Sequence, residues 1–409
     1  MSPEPLLRAQ HADIDFKREV FPFGRRSFVV YLAFLNAFVP ISTDLYLPAL
    51  PRMMEVFHCS RALADLTLSA FMLSFALTML FWGASSDRRG RRPVLLAGLG
   101  LYAAASLLCA AAPDIYLLIA GRVLQAAGSG AVTSVSMAVV KDVFRGKDME
   151  RALVLMQVMT MLAPMLAPTL GALLLRLTSW RGLFVILFLC ALLGLIPLFF
   201  LRETLRDPAS GRAILKRIVK VLGNPGLRRL LFLFSISAMP FMAYLTSSAF
   251  IYIKFYGLSE ESFSLFFAAN AGVAMLGPLL YVRLFRNFGR RFFLSLVYLV
   301  MAASGITLFF FGDRGPFYFI FFYLPLTLFA SSSRPLGTML MMTQLDTDNG
   351  TVAALIGSCG LFCGGISMII CSFGFANPVL PVAGMATLVG FACLAFWLVL
   401  DSRKLYREL

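Results

Sequence analysis

Gly83-Ala-Ser-Ser-Asp87-Arg88-Arg89-Gly90-Arg91-Arg92-Pro-Val-Leu95 joins two long apolar runs. Asp87, Arg88, Arg89, Arg91 and Arg92 crowd five charges into six residues, and apolar sequence resumes at once. A soluble core has no use for such a cluster. Two membrane-spanning helices joined by a tight turn do, because the charges stay in water while the helices cross the bilayer. A weaker copy stands 199 residues later, where Gly289-Arg290-Arg291 aligns with Gly90-Arg91-Arg92. The chain reads as duplicated about this turn.

Outward from the turn, the same pattern repeats. Of the 409 residues, 59% are apolar and only 14% charged, against about 25% charged in a typical soluble domain. Apolar runs of roughly 20 residues, long enough to span a bilayer, fall near 28–50, 62–85, 93–112, 115–140, 150–175 and 181–201. A polar break at 202–226 follows, then six more runs near 227–253, 262–284, 291–312, 316–342, 350–374 and 378–400. The expected fold is an all-α polytopic membrane protein with twelve spans in two six-helix halves. Its parts are a tail at 1–27, a bundle at 28–201, a linker at 202–226, a bundle at 227–400 and a tail at 401–409. A membrane β-barrel is disfavoured, since its strands are about 10 residues long and alternate polar with apolar.

The formal charge is +15. The basic residues lie in loops, so they set orientation and do not suggest nucleic acid. With the N-terminus inside, internal loops and tails hold 28 of the 36 Lys and Arg residues, which puts both termini in the cytoplasm. Asp346 and Asp348 depart from this trend in one internal loop. In the linker, Ile214, Leu215, Ile218, Val219 and Leu222 fall opposite Lys216, Arg217 and Lys220, the pattern of a basic helix lying on the inner leaflet. The first 27 residues lack the apolar region of a signal peptide. Of seven cysteines, only Cys59 falls in an external loop, so no disulfide framework is expected.

Charges inside spans are costly and therefore candidates for function. Asp44 in the first span and Arg122 in the fourth each lie about six or seven residues from the external end. At 1.5 Å per residue both sit roughly 10 Å below the outer surface. They are expected to meet, either as a proton-sensitive pair or as a structural one. From Arg122, the polar residues Gln125, Ser129, Thr133 and Ser136 follow at helical spacing as one stripe. The stripe should face a cavity or a neighbouring helix. Arg334 in the tenth span has no acidic partner in any span; it either binds an anionic group or snorkels to the inner surface. Pro164, Pro168 and Gly171 share one face of the fifth span, where proline bends a helix and glycine permits close approach. With only His11 and His58 in the chain, a zinc site or a histidine triad has no material, and no enzyme or cofactor is expected.

The opening stretch resembles the signature between spans two and three of the major facilitator superfamily, through Gly83, Asp87, Arg88, Gly90, Arg91, Arg92 and Leu95. Arg122-Val-Leu-Gln125-Ala-Ala-Gly128 resembles its fourth-span motif, and Pro164 to Gly171 its antiporter motif. Asp44-Leu-Tyr-Leu-Pro-Ala-Leu-Pro51 is similar to the first-span motif of twelve-span drug:proton antiporters. Together these resemble the Bcr/CflA group. The resemblance implies alternating access between two bundles in a bacterial inner membrane, driven by the proton motive force without a cofactor, by a monomer. It implies that Asp44 couples to protons with Arg122 as partner. It also implies that Asp87, Arg88, Arg91 and Arg92 latch the cytoplasmic side, and that Pro164, Pro168 and Gly171 seal or bend the fifth span. Asn36 stands where some relatives carry a second acid, so one proton per cycle is expected. Arg334 replaces a small residue, which would favour anionic or zwitterionic substrates. Tyr31, Phe34, Phe38, Phe241 and Tyr244, with Asn36, Gln125, Ser129, Thr133 and Arg334, are the candidate substrate contacts.

The expected function is proton-driven export of small amphipathic molecules. The alternatives are a dedicated transporter of one metabolite, such as a siderophore or amino-acid derivative, and a non-transporting membrane sensor. Asp65, at the start of the second span, is the fallback acid.

Overall fold

The structure, a computed structural model, describes residues 20–205, 218–285, 288–345, 349–373, 375–404 and 406. Ile214, Leu215, Lys216, Arg217, Asp346, Asp348 and His11 lie outside the described residues. Backbone groups in a bilayer must bond within the chain, which leaves the helix as the form for long apolar runs. Among the described residues twelve such helices are present: α1 (Gly24–Val56), α2 (Arg61–Arg89), α3 (Arg91–Ala110), α4 (Ile115–Val143), α5 (Arg151–Leu177), α6 (Trp180–Phe200), α7 (Pro225–Phe255), α8 (Glu260–Leu284), α9 (Arg290–Arg314), α10 (Pro316–Met342), α11 (Thr351–Ser372) and α12 (Val379–Ser402). No strand occurs among the described residues. Several starts carry the side-chain caps their sequence offers. Asp114 Oδ1 accepts from Leu117 N at 2.8 Å and Asn224 Oδ1 from Leu227 N at 2.9 Å.

The charged stretch is less of a loop than its sequence suggests. α2 runs on through Asp87 and Arg88 to Arg89, and α3 begins at Arg91, so Gly90 alone makes the turn. Its φ of +96° suits glycine, and a Cβ there would overlap the Glu203 carboxylate. That carboxylate caps α3, accepting from Arg91 N at 2.8 Å and Arg92 N at 3.2 Å.

α1 and α7 are broken at matching places. α1 is interrupted at Ala37, three residues before Pro40, and passes through a 3-10 turn at Leu47–Ala49. α7 is interrupted at Ala238, two residues before Pro240. Proline withholds the N–H that the preceding turn needs. Hydroxyls add hydrogen bonds to carbonyls beside both breaks. Ser42 Oγ donates to Phe38 O at 2.5 Å, Ser367 Oγ to Met239 O at 2.9 Å and Tyr323 OH to Pro240 O at 3.1 Å.

The two six-helix halves, α1–α6 and α7–α12, meet unevenly. One face carries the basic loops and the α2–α3 turn; the opposite face carries Phe57–Ser60. Between described residues, the ion pairs linking the halves all lie on that opposite face. Arg52 pairs with Glu260 at 2.5 Å, Arg176 with Glu261 at 2.7 Å, and Lys254 with Glu55. Below them Ser264 Oγ donates to Pro168 O at 3.0 Å, joining α8 to α5. The halves are thus clasped on this face, and no described ion pair bridges them on the basic face.

Candidate functional site

Arg122 is fully buried in the middle of its half. Its Nη1 donates to Gln125 Oε1 one turn along α4, and its Nε to Thr67 O of α2 at 3.4 Å. Three rings surround the guanidinium, Phe71 at 4.2 Å, Tyr46 at 4.5 Å and Phe184 at 5.9 Å. Nη2 has no partner. Aromatic faces offer a buried cation partial compensation. Gln125 Nε2 passes the network on to Ser106 Oγ at 2.8 Å, and Tyr102 of α3 bonds Ser42 of α1.

The expected pair between Asp44 and Arg122 is not formed. Asp44 is buried, and its Oδ1 accepts from Thr43 Oγ1 at 2.9 Å, with no cation within ion-pair distance. The reason is angular. Residues two apart on a helix point nearly opposite ways, and α1 presents Tyr46, not Asp44, to Arg122. Asp44 occupies the face turned away from α4. Beside it, a Cβ on Gly171 of α5 would overlap the Leu45 carbonyl, so α1 and α5 touch there backbone to backbone.

The other expected contacts divide. Gln125, Ser129 and Ser136 are fully buried; Ser129 Oγ donates to Gln125 O at 3.0 Å and Ser136 Oγ to Val132 O at 2.6 Å. Their part of the stripe serves helix packing. Thr133 differs: its buried Oγ1 has no partner. Tyr31 is buried with its OH donating to Gly194 O of α6 at 2.8 Å, so it belongs to the packing of its own half. Asn36 Nδ2 donates to Thr160 Oγ1 of α5 at 2.7 Å. Phe34 is half-buried against Phe38. Tyr244 is buried and stacked on Tyr323 at 4.5 Å within the second half. Arg334 is exposed, its guanidinium 5.7 Å from the Phe241 ring of α7.

The gating residues bind one another. Arg91 reaches Asp142 at 2.8 Å, Asp87 at 2.5 Å and Ser86 at 2.7 Å, and Arg92 donates to Phe199 O at 2.9 Å. Arg88 is exposed. Pro164 and Pro168 lie inside a continuous helix. Gly83 meets Ser134 at ordinary contact distance.

Sequence reasoning passed over a buried clasp beneath the surface ion pairs. Arg61 Nε pairs with Asp65 at 3.3 Å; Arg61 Nη2 donates to Ser247 Oγ of α7 at 3.1 Å, and the guanidinium lies over Phe250. Asp65 is fully buried, and the hydroxyls of Thr246 and Ser372 lie beside it. The available signal was a basic residue four positions before an acid at a span's start.

Twelve candidate spans in two six-helix halves, with buried charges in the first, describe a polytopic membrane protein. The family model described as Major Facilitator Superfamily matches residues 32–368, and the chain belongs to that superfamily. It is 32% identical over 259 residues to "Uncharacterized MFS-type transporter YdgK" of Bacillus subtilis (strain 168), covering 62% of this chain and 64% of that protein. It is 29% identical over 240 residues to "Multidrug resistance protein MdtL" of Salmonella schwarzengrund (strain CVM19633), covering 58% and 61%. The matches thus span about three-fifths of these relatives' length. In fold it is similar to a bacterial homologue of the human lysosomal transporter Spinster, solved inward-facing and occupied, with a TM-score of 0.72 at 15% identity over 94% of this chain and 98% of that one.

Proposed function

We propose that this transporter is a proton-coupled exporter of small amphipathic molecules, working by alternating access as a monomer in a bacterial inner membrane. The basic face lies in the cytoplasm, following the charge of its loops. The clasp on the opposite face then corresponds to an outward-closed state. The observation that carries the reading is Asp44, a buried carboxylate with one hydroxyl donor and no cation. Ionised, it would stand in low dielectric at a cost of several kcal/mol; taking up a proton removes that cost. Opening the outer face would hydrate Asp44 and change its affinity for protons. Such a difference between the two states is what coupling requires.

Arg122 acts in this scheme as a positioning residue. It fixes α1 through Tyr46, and α2 through Thr67. The resemblance to the multidrug protein supports amphipathic drugs as substrates. Purified protein in liposomes loaded with a pH-sensitive dye tests the scheme. An amphipathic drug panel should trigger proton movement in the wild type, and Asp44→Asn should lower it at least tenfold. Undiminished substrate-driven proton flux in Asp44→Asn would refute the assignment.

A further inference from the structure

Among the described residues, three Asp, Glu, Lys or Arg side chains lie well inside the spans apart from the Arg61–Asp65 pair: Asp44, Arg122 and Arg334. None of the three pairs with another. The interior therefore holds two cations and one acid, and it becomes more positive when Asp44 takes up a proton. Arg122 is sealed among rings. Arg334 is the exposed one of the two cations.

Its position is fixed by its neighbours on α10. Ser331, three residues before it, presses on Gly277 of α8, and Gly337, three residues after it, meets Phe234 of α7. Three residues turn a helix by about 300°, so the direction of Arg334 bisects those two contacts and points between α7 and α8. Both helices also pack on the Leu47–Ala49 turn of α1, so the gap between them faces the first half. Arg334 is exposed and projects toward this gap. No carboxylate answers it, and the side chain lies beside the Phe241 ring.

We propose that Arg334 binds the anionic group of the substrate, and that the substrate is an amphipathic carboxylate whose apolar body packs on Phe241. This rests on the transport reading above and names the substrate's chemistry. A guanidinium is matched to a carboxylate by its two parallel N–H donors. In a partly enclosed site such a bond gains about tenfold or more over a neutral acceptor.

The test is binding to the purified full-length protein in detergent, read by intrinsic fluorescence. The probes are 4-(1-naphthyl)butyrate and its primary amide. Wild type should bind the carboxylate at least tenfold more tightly than the amide. Arg334→Gln should bind both alike, and Arg334→Lys should keep part of the difference. Equal affinities in wild type, no carboxylate binding in wild type, or a preference that survives Arg334→Gln would each overturn the proposal. The wild-type comparison stands even where a variant folds poorly. A carboxylate preference without proton flux in liposomes would leave this assignment standing and remove the exporter reading instead.

Discussion

Gly90 shows how much one residue carries. It holds a left-handed backbone, separates two helices and leaves room for Glu203 to cap α3. Alanine at this position would cost roughly 1–3 kcal/mol for the backbone conformation alone. The displaced Glu203 would add to that. Gly90→Ala should therefore lower the thermal unfolding temperature in detergent by several degrees, and an unchanged unfolding temperature would contradict the capping account. Residue identity was legible here from the sequence, but its partner was not. Glu203 lies 113 positions away in a polar stretch with nothing to mark it as a cap.

Element by element, the spans were legible because apolar length is a one-dimensional signal. What each helix turns toward its neighbours was not. Asp44 and Arg122 were expected at one depth, and depth can be counted along a chain. Azimuth cannot, because α1 is interrupted at Ala37 and tightens at Leu47–Ala49, so an ideal helical wheel loses its phase there. On α4 the sequence left cavity and helix packing open, and packing holds for Gln125, Ser129 and Ser136. Hydroxyls that back-bond to their own helix look polar in sequence but are satisfied in packing. The interruption itself is testable. Pro40→Ala restores an N–H for the Asn36 carbonyl and should straighten α1. The variant should be as stable as wild type or more so, and several-fold slower in transport. Transport at the wild-type rate with a straightened helix, seen by site-directed spin labels on α1, would show that the break is incidental.

At the scale of the whole molecule, the two halves are joined by charges of opposite sign on one face. The exposed pairs contribute little individually. Beneath them the Arg61–Asp65 pair lies within α2 itself and reaches the second half through the Arg61–Ser247 hydrogen bond, so opening this face leaves the pair intact. Replacing Glu55 and Lys254 with cysteines, in a background carrying Cys59→Ser, places a reversible lock at the rim. Oxidation should stop substrate flux in liposomes and reductant should restore it. Flux unaffected by a complete cross-link would mean that this face never opens during the cycle.

The contact between Gly171 and the Leu45 carbonyl bears on waste. A proton-driven machine loses its gradient wherever water can thread past the coupling acid without cargo. Side chains can swing aside and admit a passing file of water. Two backbones in contact cannot, and here they meet one residue from Asp44. Under the proton-coupled reading proposed above, the fifth helix would set an idling rate: how much proton gradient leaks away when there is nothing to carry.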